Sequence, residues 1–180
     1  MAKANSSFSE VQIARRIKEG RGQRHGKDYI PWLTVQEVPS SGRSHRIYSH
    51  KTGRVHHLLS DLELAVFLSL EWESSVLDIR EQFPLLPSDT RQIAIDSGIK
   101  HPAIRGVDQV MSTDFLVDCK GGPFEQFAIQ VKPAEALQDE RTLEKLELER
   151  RYWQQKQIPW FIFTDKEINP VVKENIEWLY

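Results

Sequence analysis

The 180-residue sequence contains a single cysteine, Cys119, so it can form neither an intrachain disulfide nor a cysteine-based zinc cluster. Apolar runs such as residues 159–163 are too short to cross a membrane. The N-terminus lacks the apolar core of a secretion signal, and the chain has no internal repeat or low-complexity tract. These absences argue against a secreted or membrane-spanning protein and predict a cytoplasmic one.

The remaining composition is that of a folded domain. Hydrophobic residues make up 39% of the chain and charged residues 28%, which is enough apolar material to build a core. The length suits one domain, with room for a small appendage.

The net charge of −2 hides a strong asymmetry along the chain. Residues 1–60 contain 11 Lys or Arg and 4 Asp or Glu, whereas residues 61–180 contain 13 and 22. A basic arm on an acidic domain suggests a polyanionic partner, although a solvated surface is the alternative. The candidate DNA-binding residues of this arm are Arg15, Arg16, Lys18, Arg21, Arg24 and Lys27.

Within the arm, the segment Ser7-Phe8-Ser9-Glu10 predicts a capped helix that runs to about Glu19. Its spacing predicts a buried side of Val11, Ala14 and Ile17, with Arg15, Arg16 and Lys18 facing outward. Residues 32–57 are then predicted to form a β-meander with turns at 39–42 and 51–53.

The most informative pattern is a predicted β-hairpin. Residues 113–119 and 127–132 are short apolar segments separated by the turn signal Lys120-Gly121-Gly122-Pro123. If the turn centres near residues 121–122, strand alternation places Asp114 opposite Gln130 and diagonal to Lys132. A hard divalent cation favours such oxygen ligands, and a lysine beside it can orient a water. Ordinary polar residues on a half-solvated strand are the alternative.

An upstream acid, Glu63, opens a second predicted helix over residues 62–73. Ser60 followed by Glu63 is a capping-box signature, so Glu63 has a purely structural explanation. The two roles are compatible, because a carboxylate in the first turn of a helix can also face a metal.

After the hairpin the pattern predicts a helix, a strand and a final helix. An amphipathic helix over residues 139–157 has a stripe of Leu143, Leu146, Arg150 and Trp153. The apolar run 159–164 predicts a strand buried on both faces, as in a parallel part of a sheet. Asn169-Pro170 predicts the start of the final helix.

This order resembles the restriction-endonuclease-like nucleases, which combine a helix glutamate with an acid and a (D/E)xK motif on a hairpin. More closely, HHLLSDLELAVFLSLEW, STDFLVD, IQVKPA and ERRYWQQKQIPWFIFTD resemble the TnsA family, the endonuclease subunits of two-protein, cut-and-paste bacterial transposases. The resemblance implies an α/β core with a mixed sheet flanked by helices. It divides the chain into a basic extension (1–57), a nuclease core (58–168) and the start of a C-terminal helix (169–180), with a further C-terminal domain absent.

The resemblance also implies site residues and partners. Glu63, Asp114, Gln130 and Lys132 would be catalytic, and Mg²⁺, or Mn²⁺ in its place, would be held by Glu63, Asp114, Gln130 and the carbonyl of Val131. Gln130 departs from the carboxylate that most of these nucleases carry. The implied activity is cleavage at the 5′ ends of a transposon, with the partner transposase TnsB at the 3′ ends and the ATP-dependent regulator TnsC. The alternatives are a non-catalytic DNA-binding or assembly module and a restriction or repair nuclease of the same fold.

Overall fold

A computed structural model describes residues 7–38 and 42–168, together with Glu174 and Trp178. Its α-helices are α1 (Glu10–Lys18), α2 (Asp61–Trp72), α3 (Pro87–Ser97) and α4 (Glu140–Gln155). Its strands are β1 (His45–Ser49), β2 (Arg54–Leu58), β3 (Val76–Pro84), β4 (Ala103–Ile104), β5 (Val107–Asp108), β6 (Ser112–Cys119), β7 (Gln126–Val131) and β8 (Trp160–Phe163). None of the described helices is long and apolar enough to cross a membrane.

The centre of the fold is a four-stranded mixed sheet in the order β3-β6-β7-β8. Strands β3, β6 and β7 are antiparallel, and β8 runs parallel to β7. Helix α2 packs on one face, where Phe67 meets Phe115 and Ile129 in one apolar cluster. Helices α3 and α4 cover the other face, where Ile93 and Trp153 belong to a second cluster. The predicted α/β class, a mixed sheet flanked by helices, is confirmed.

The predicted hairpin is formed by β6 and β7, and its predicted register is confirmed. Phe115 pairs with Ile129 and Asp118 with Gln126, so the same register places Asp114 opposite Gln130. The connection spans residues 120–125 and contains the predicted turn signal, and the amide of Cys119 donates to the carbonyl of Glu125 across its base.

Strand β3 and helix α3 lie between α2 and the hairpin and are absent from the sequence prediction. β3 has no clear alternation of apolar and polar residues, because Asp78, Arg80, Glu81 and Gln82 are all buried. Their partners come from distant segments: the two terminal guanidinium nitrogens of Arg54 donate to the Glu81 carboxylate, at 2.8 and 2.5 Å. Hydrophobic periodicity does not detect a strand whose buried side chains are polar.

The prediction for α1 is correct in place but wrong in orientation. The helix is capped by Ser9 with Gln12, rather than by Ser7 with Glu10. Val11 is 79% and Ile17 49% exposed, and the exposed Ala14 is likewise not part of a buried side. The buried residue is Arg16, which was predicted to face outward.

Arg16 is buried because other groups satisfy its guanidinium. It donates to the carbonyl oxygen of Trp32 (2.6 Å) and to Glu37 (2.9 Å), and its Cζ lies 3.9 Å from the centre of the Phe8 ring. A buried cation is tolerated when it is paired and hydrogen-bonded in this way. The partner Glu37 lies 21 residues further along the chain.

In place of the predicted meander over residues 32–57, the described part of this range contains one hairpin, formed by β1 and β2. Residues 32–38 are turns and bends, and the predicted turn at 39–42 lies mostly outside the described residues. The segment before this hairpin covers the free edge of β3: the Trp32 amide donates to Gln82 O (3.1 Å), and the Tyr29 hydroxyl donates to Glu81 O (2.9 Å).

The two predicted elements after the β6–β7 hairpin, α4 and β8, are present. The predicted stripe of α4 is partly wrong, because Leu143 is 47% exposed and the exposed Arg150 pairs with Glu147 on the surface. The strand β8 is parallel as predicted, but Phe161 is 40% exposed, so the strand is not buried on both faces. The predicted helix from Asn169-Pro170 lies outside the described residues, except that Glu174 and Trp178 are helical.

Candidate active site

Glu63 lies in the first turn of α2 and does contribute to capping. The Glu63 amide donates to the Ser60 hydroxyl (3.1 Å), and the Glu63 carboxylate accepts from that hydroxyl (3.0 Å) and from the Leu59 amide (2.8 Å). The return bond therefore goes to the residue before the N-cap. Only 2% of Glu63 is exposed. Burying a carboxylate costs free energy, and a carboxylate that only caps a helix on the surface would avoid that cost.

Asp114, on β6, contacts the other predicted site residues of the hairpin. Its Oδ2 accepts from the Val131 amide (2.8 Å), and its own amide donates to the side-chain oxygen of Gln130 (3.2 Å). The ammonium of Lys132 lies 3.6 Å from the same Oδ2 and donates to the carbonyl oxygen of Val131 (3.0 Å). The structure thus brings Asp114, Gln130 and Lys132 together as the register predicted, and Val131 lies beside them.

The contact between Asp114 and Glu63 runs through Gln82, a residue that the sequence did not indicate. The side-chain nitrogen of Gln82 donates to Glu63 Oε2 and to Asp114 Oδ1, each at 3.3 Å. Gln82 lies on β3, between residues that pair with the two neighbours of Asp114. Because β3 was not predicted, no pattern in the sequence marked this side chain.

Regular strand alternation would have kept the two acids apart. Leu116 lies in the cluster of the α4 face, so Asp114, two residues earlier, would also face α4, away from α2. However, Thr113 bonds to Trp153 of α4, whereas Phe115 packs on the α2 face. The strand therefore reverses its faces at Asp114, which lets the carboxylate reach the α2 side.

A third acid, Glu149 of α4, lies behind the site and was also missed, since the predicted stripe placed Arg150 inward. It is 4% exposed, and its Oε1 accepts from the Thr113 hydroxyl (2.7 Å) and the Trp160 indole nitrogen (2.9 Å). Burial raises the pKa of Glu149 to about 7. The negative charge of Asp114 raises this pKa further, while both hydrogen bonds and the charge of Lys132 oppose the rise.

The site fits a hard divalent cation. Glu63 Oε2 and Asp114 Oδ1 converge on one amide NH₂ group, whose hydrogens carry partial positive charge, and the same two oxygens would hold a cation. Two neutral oxygens lie nearby: the side-chain oxygen of Gln130, which accepts from the Asp114 amide, and the carbonyl oxygen of Val131, which accepts from Lys132. Carboxylate, amide and backbone oxygens are the ligands that Mg²⁺ and related ions prefer.

A separate cluster of potential ligands lies at the other end of β6. His25 Nδ1 is 3.4 Å from Asp78 and 3.2 Å from Asp118. Asp118 also accepts from Arg80 (2.8 and 3.0 Å) and from Gln126. Because a guanidinium already compensates Asp118, this cluster is best explained as a link between the N-terminal segment and the sheet.

The six basic residues predicted to bind DNA divide into two groups. Arg16 and Arg21 both donate to Glu37, and Arg21 also pairs with Glu19 (3.1 Å), so their charges are largely compensated. The outward orientation predicted for Arg16 is therefore wrong. The exposed members are Arg15, Lys18, Arg24 and Lys27.

A mixed sheet between helices, with acids and a lysine at the end of its hairpin, is a restriction-endonuclease-like fold. The chain belongs to the TnsA-like endonuclease family, whose N-terminal sequence profile matches residues 73–165. It is 98% identical, over all 180 residues, to the Tn7 transposition protein TnsA of Escherichia coli and spans 66% of the length of that relative. Glu63 lies before the matched residues, so its place in the site rests on the contact through Gln82.

Proposed function

We propose that this chain is the catalytic part of a metal-dependent DNA endonuclease that hydrolyses phosphodiester bonds at the 5′ ends of a transposon. The observation that carries the proposal is the convergence of Glu63 and Asp114 on one nitrogen, with the Lys132 ammonium 3.6 Å from Asp114. The near-identical relative named as a transposition protein supports the choice of substrate.

The proposed roles follow from the positions of the side chains. Glu63, Asp114, Gln130 and the carbonyl of Val131 would hold Mg²⁺, or Mn²⁺ in its place. The cation, when bound, supplies Lewis-acid stabilisation of the charge that develops on the phosphate. Lys132 is half-buried beside Asp114, so its ammonium can orient the attacking water and contact a phosphate oxygen.

DNA would be held largely outside the acidic site. The candidates for phosphate contacts are the exposed cations Arg15, Lys18, Arg24 and Lys27. Contacts of this kind position DNA without reading its sequence. The compensated charges of Arg16 and Arg21 support a structural role instead. The proposed partners are the transposase TnsB, which would act at the 3′ ends, and the ATP-dependent regulator TnsC.

The test is Asp114→Asn in the full-length protein, assembled with its partner transposase on transposon-end DNA. We expect loss of 5′-end cleavage by more than about 100-fold, the scale of removing a group that stabilises transition-state charge. Asp96→Asn, on the exposed surface of α3, is the matched control and should cut normally. Cleavage by Asp114→Asn at the wild-type rate would show that the site is elsewhere.

A further inference from the structure

The position of Gln82 is unusual for a neutral side chain. It is 2% exposed, and its amide nitrogen lies between the carboxylates of Glu63 and Asp114, 3.3 Å from each. Its amide oxygen faces the other way and accepts from the Ser112 hydroxyl (3.3 Å). The NH₂ group has two hydrogens, so it can donate one to each acid.

This orientation matters for an acidic site without a cation. Two buried carboxylates that face each other repel and disfavour their ionised forms. A donor placed between them offsets that repulsion and keeps both oxygens turned inward. An amide oxygen in the same place would add to the repulsion, so the acids themselves determine which end of Gln82 faces them.

The backbone of Gln82 is also unusual, since its φ is +46°. Positive φ is uncommon for a residue with a side chain, and such strained residues cluster at functional sites. The carbonyl of Gln82 accepts from the Trp32 amide (3.1 Å), so the N-terminal segment helps to hold this conformation. Gln82 lies between residues that pair with the two neighbours of Asp114, where β6 reverses its faces.

We propose that Gln82 is a positioning residue of the cation site, and that its amide competes with a divalent cation for Glu63 and Asp114. This inference rests on the proposed function, because it assumes that these two acids bind the metal. With no cation, Gln82 keeps the two carboxylates close together. A cation can bind both oxygens only after Gln82 gives up both hydrogen bonds.

The consequence is a low metal affinity in the free protein. At 3.3 Å the two bonds are longer than the strongest hydrogen bonds to carboxylates, but both must be broken together, which opposes cation entry. Removing the amide should therefore tighten metal binding. We expect a gain of about tenfold, which corresponds to about 1.4 kcal/mol.

The experiment is calorimetric titration of the metal-free protein with Mn²⁺, without DNA. Gln82→Met keeps the length of the side chain but removes the donor, and it should bind Mn²⁺ about tenfold more tightly than the wild type. The same variant should melt at a lower temperature without metal, with the gap closing at saturating Mn²⁺. Gln92→Met is the matched control, because Gln92 also donates to a carboxylate, that of Asp96, but on the surface of α3.

A second variant is needed in case Gln82→Met does not fold. Gln82→Gly removes the amide and suits a positive φ, and it should show the same gain in affinity. Unchanged or weaker Mn²⁺ binding in both Gln82 variants would overturn the inference.

Asp114→Asn separates this failure from failure of the proposed function. If Asp114→Asn weakens Mn²⁺ binding while the Gln82 variants leave it unchanged, only the Gln82 inference fails. If Asp114→Asn binds Mn²⁺ as the wild type does, the cation site itself is wrong, and both proposals fall.

Discussion

The buried acid Glu149 should make this protein less stable as the pH rises through neutrality. Burial raises its pKa from 4.5 to about 7 in the folded state, so the folded protein holds this proton more tightly than the unfolded chain. The associated stability is fully present below pH 4.5 and is lost as the pH rises through 7. At 1.36 kcal/mol per unit, the loss is about 3 kcal/mol.

The variant Glu149→Gln should remove this pH dependence. The glutamine oxygen can accept the same bonds from Thr113 and Trp160, and the side chain cannot ionise. Relative to the wild type, its free energy of unfolding should be similar near pH 4.5 and about 3 kcal/mol higher at pH 8.5. Urea unfolding of the metal-free proteins across this range, followed by tryptophan fluorescence, measures the difference.

A substitution on the same helix provides the control. The pKa of Glu147 is lowered to about 2 by its hydrogen bonds to Arg150 and Arg151, so this acid is ionised above pH 5.5 in both the folded and the unfolded protein. The effect of Glu147→Gln should therefore stay constant between pH 5.5 and 8.5. If the difference between wild type and Glu149→Gln is also constant with pH, Glu149 is not the titrating group and the reasoning is refuted.

Substitutions at Glu63, on the exposed face of α1 and at Gln130 test the remaining parts of the proposal. Glu63→Gln can still accept from Leu59 and Ser60, so it should melt near the wild-type temperature yet lose 5′-end cleavage; a destabilised variant that still cuts would leave only the capping role. Replacing Arg15 and Lys18 with Gln should weaken DNA binding and lower its salt slope by about 0.9 log unit per lost phosphate contact, whereas an unchanged slope would mean that both only face solvent. Gln130→Glu adds a charge to the ligands and should bind Mg²⁺ more tightly in calorimetry without DNA; equal affinity would contradict this role.

Local patterns in the sequence were enough to predict the hairpin. Alternation along two short strands and the position of the turn fix the register, so the grouping of Asp114, Gln130 and Lys132 could be predicted before any tertiary contact was known. The spacing of Ser60 and Glu63 likewise predicted a helix start, because capping involves only neighbouring residues.

Two of the wrong predictions concern segments in which polar side chains are buried. The predicted buried side of α1 was wrong because Arg16 is satisfied by Trp32 and Glu37, which are distant in sequence. Strand β3 was missed for the same reason. Periodicity assumes that buried residues are apolar, and it fails where a folded partner neutralises the charge.

The full site was decided only by the tertiary structure. Glu63 and Asp114 come together because the strand reverses its faces beside Gln82, a backbone conformation held in part by a hydrogen bond from Trp32, 50 residues earlier. Glu149 enters the site because α4 turns it towards Thr113 and Trp160. The sequence by itself determined which residues share the hairpin. The placement of Glu63 and Glu149 on either side of Asp114 depends on non-local contacts, which no local pattern encodes.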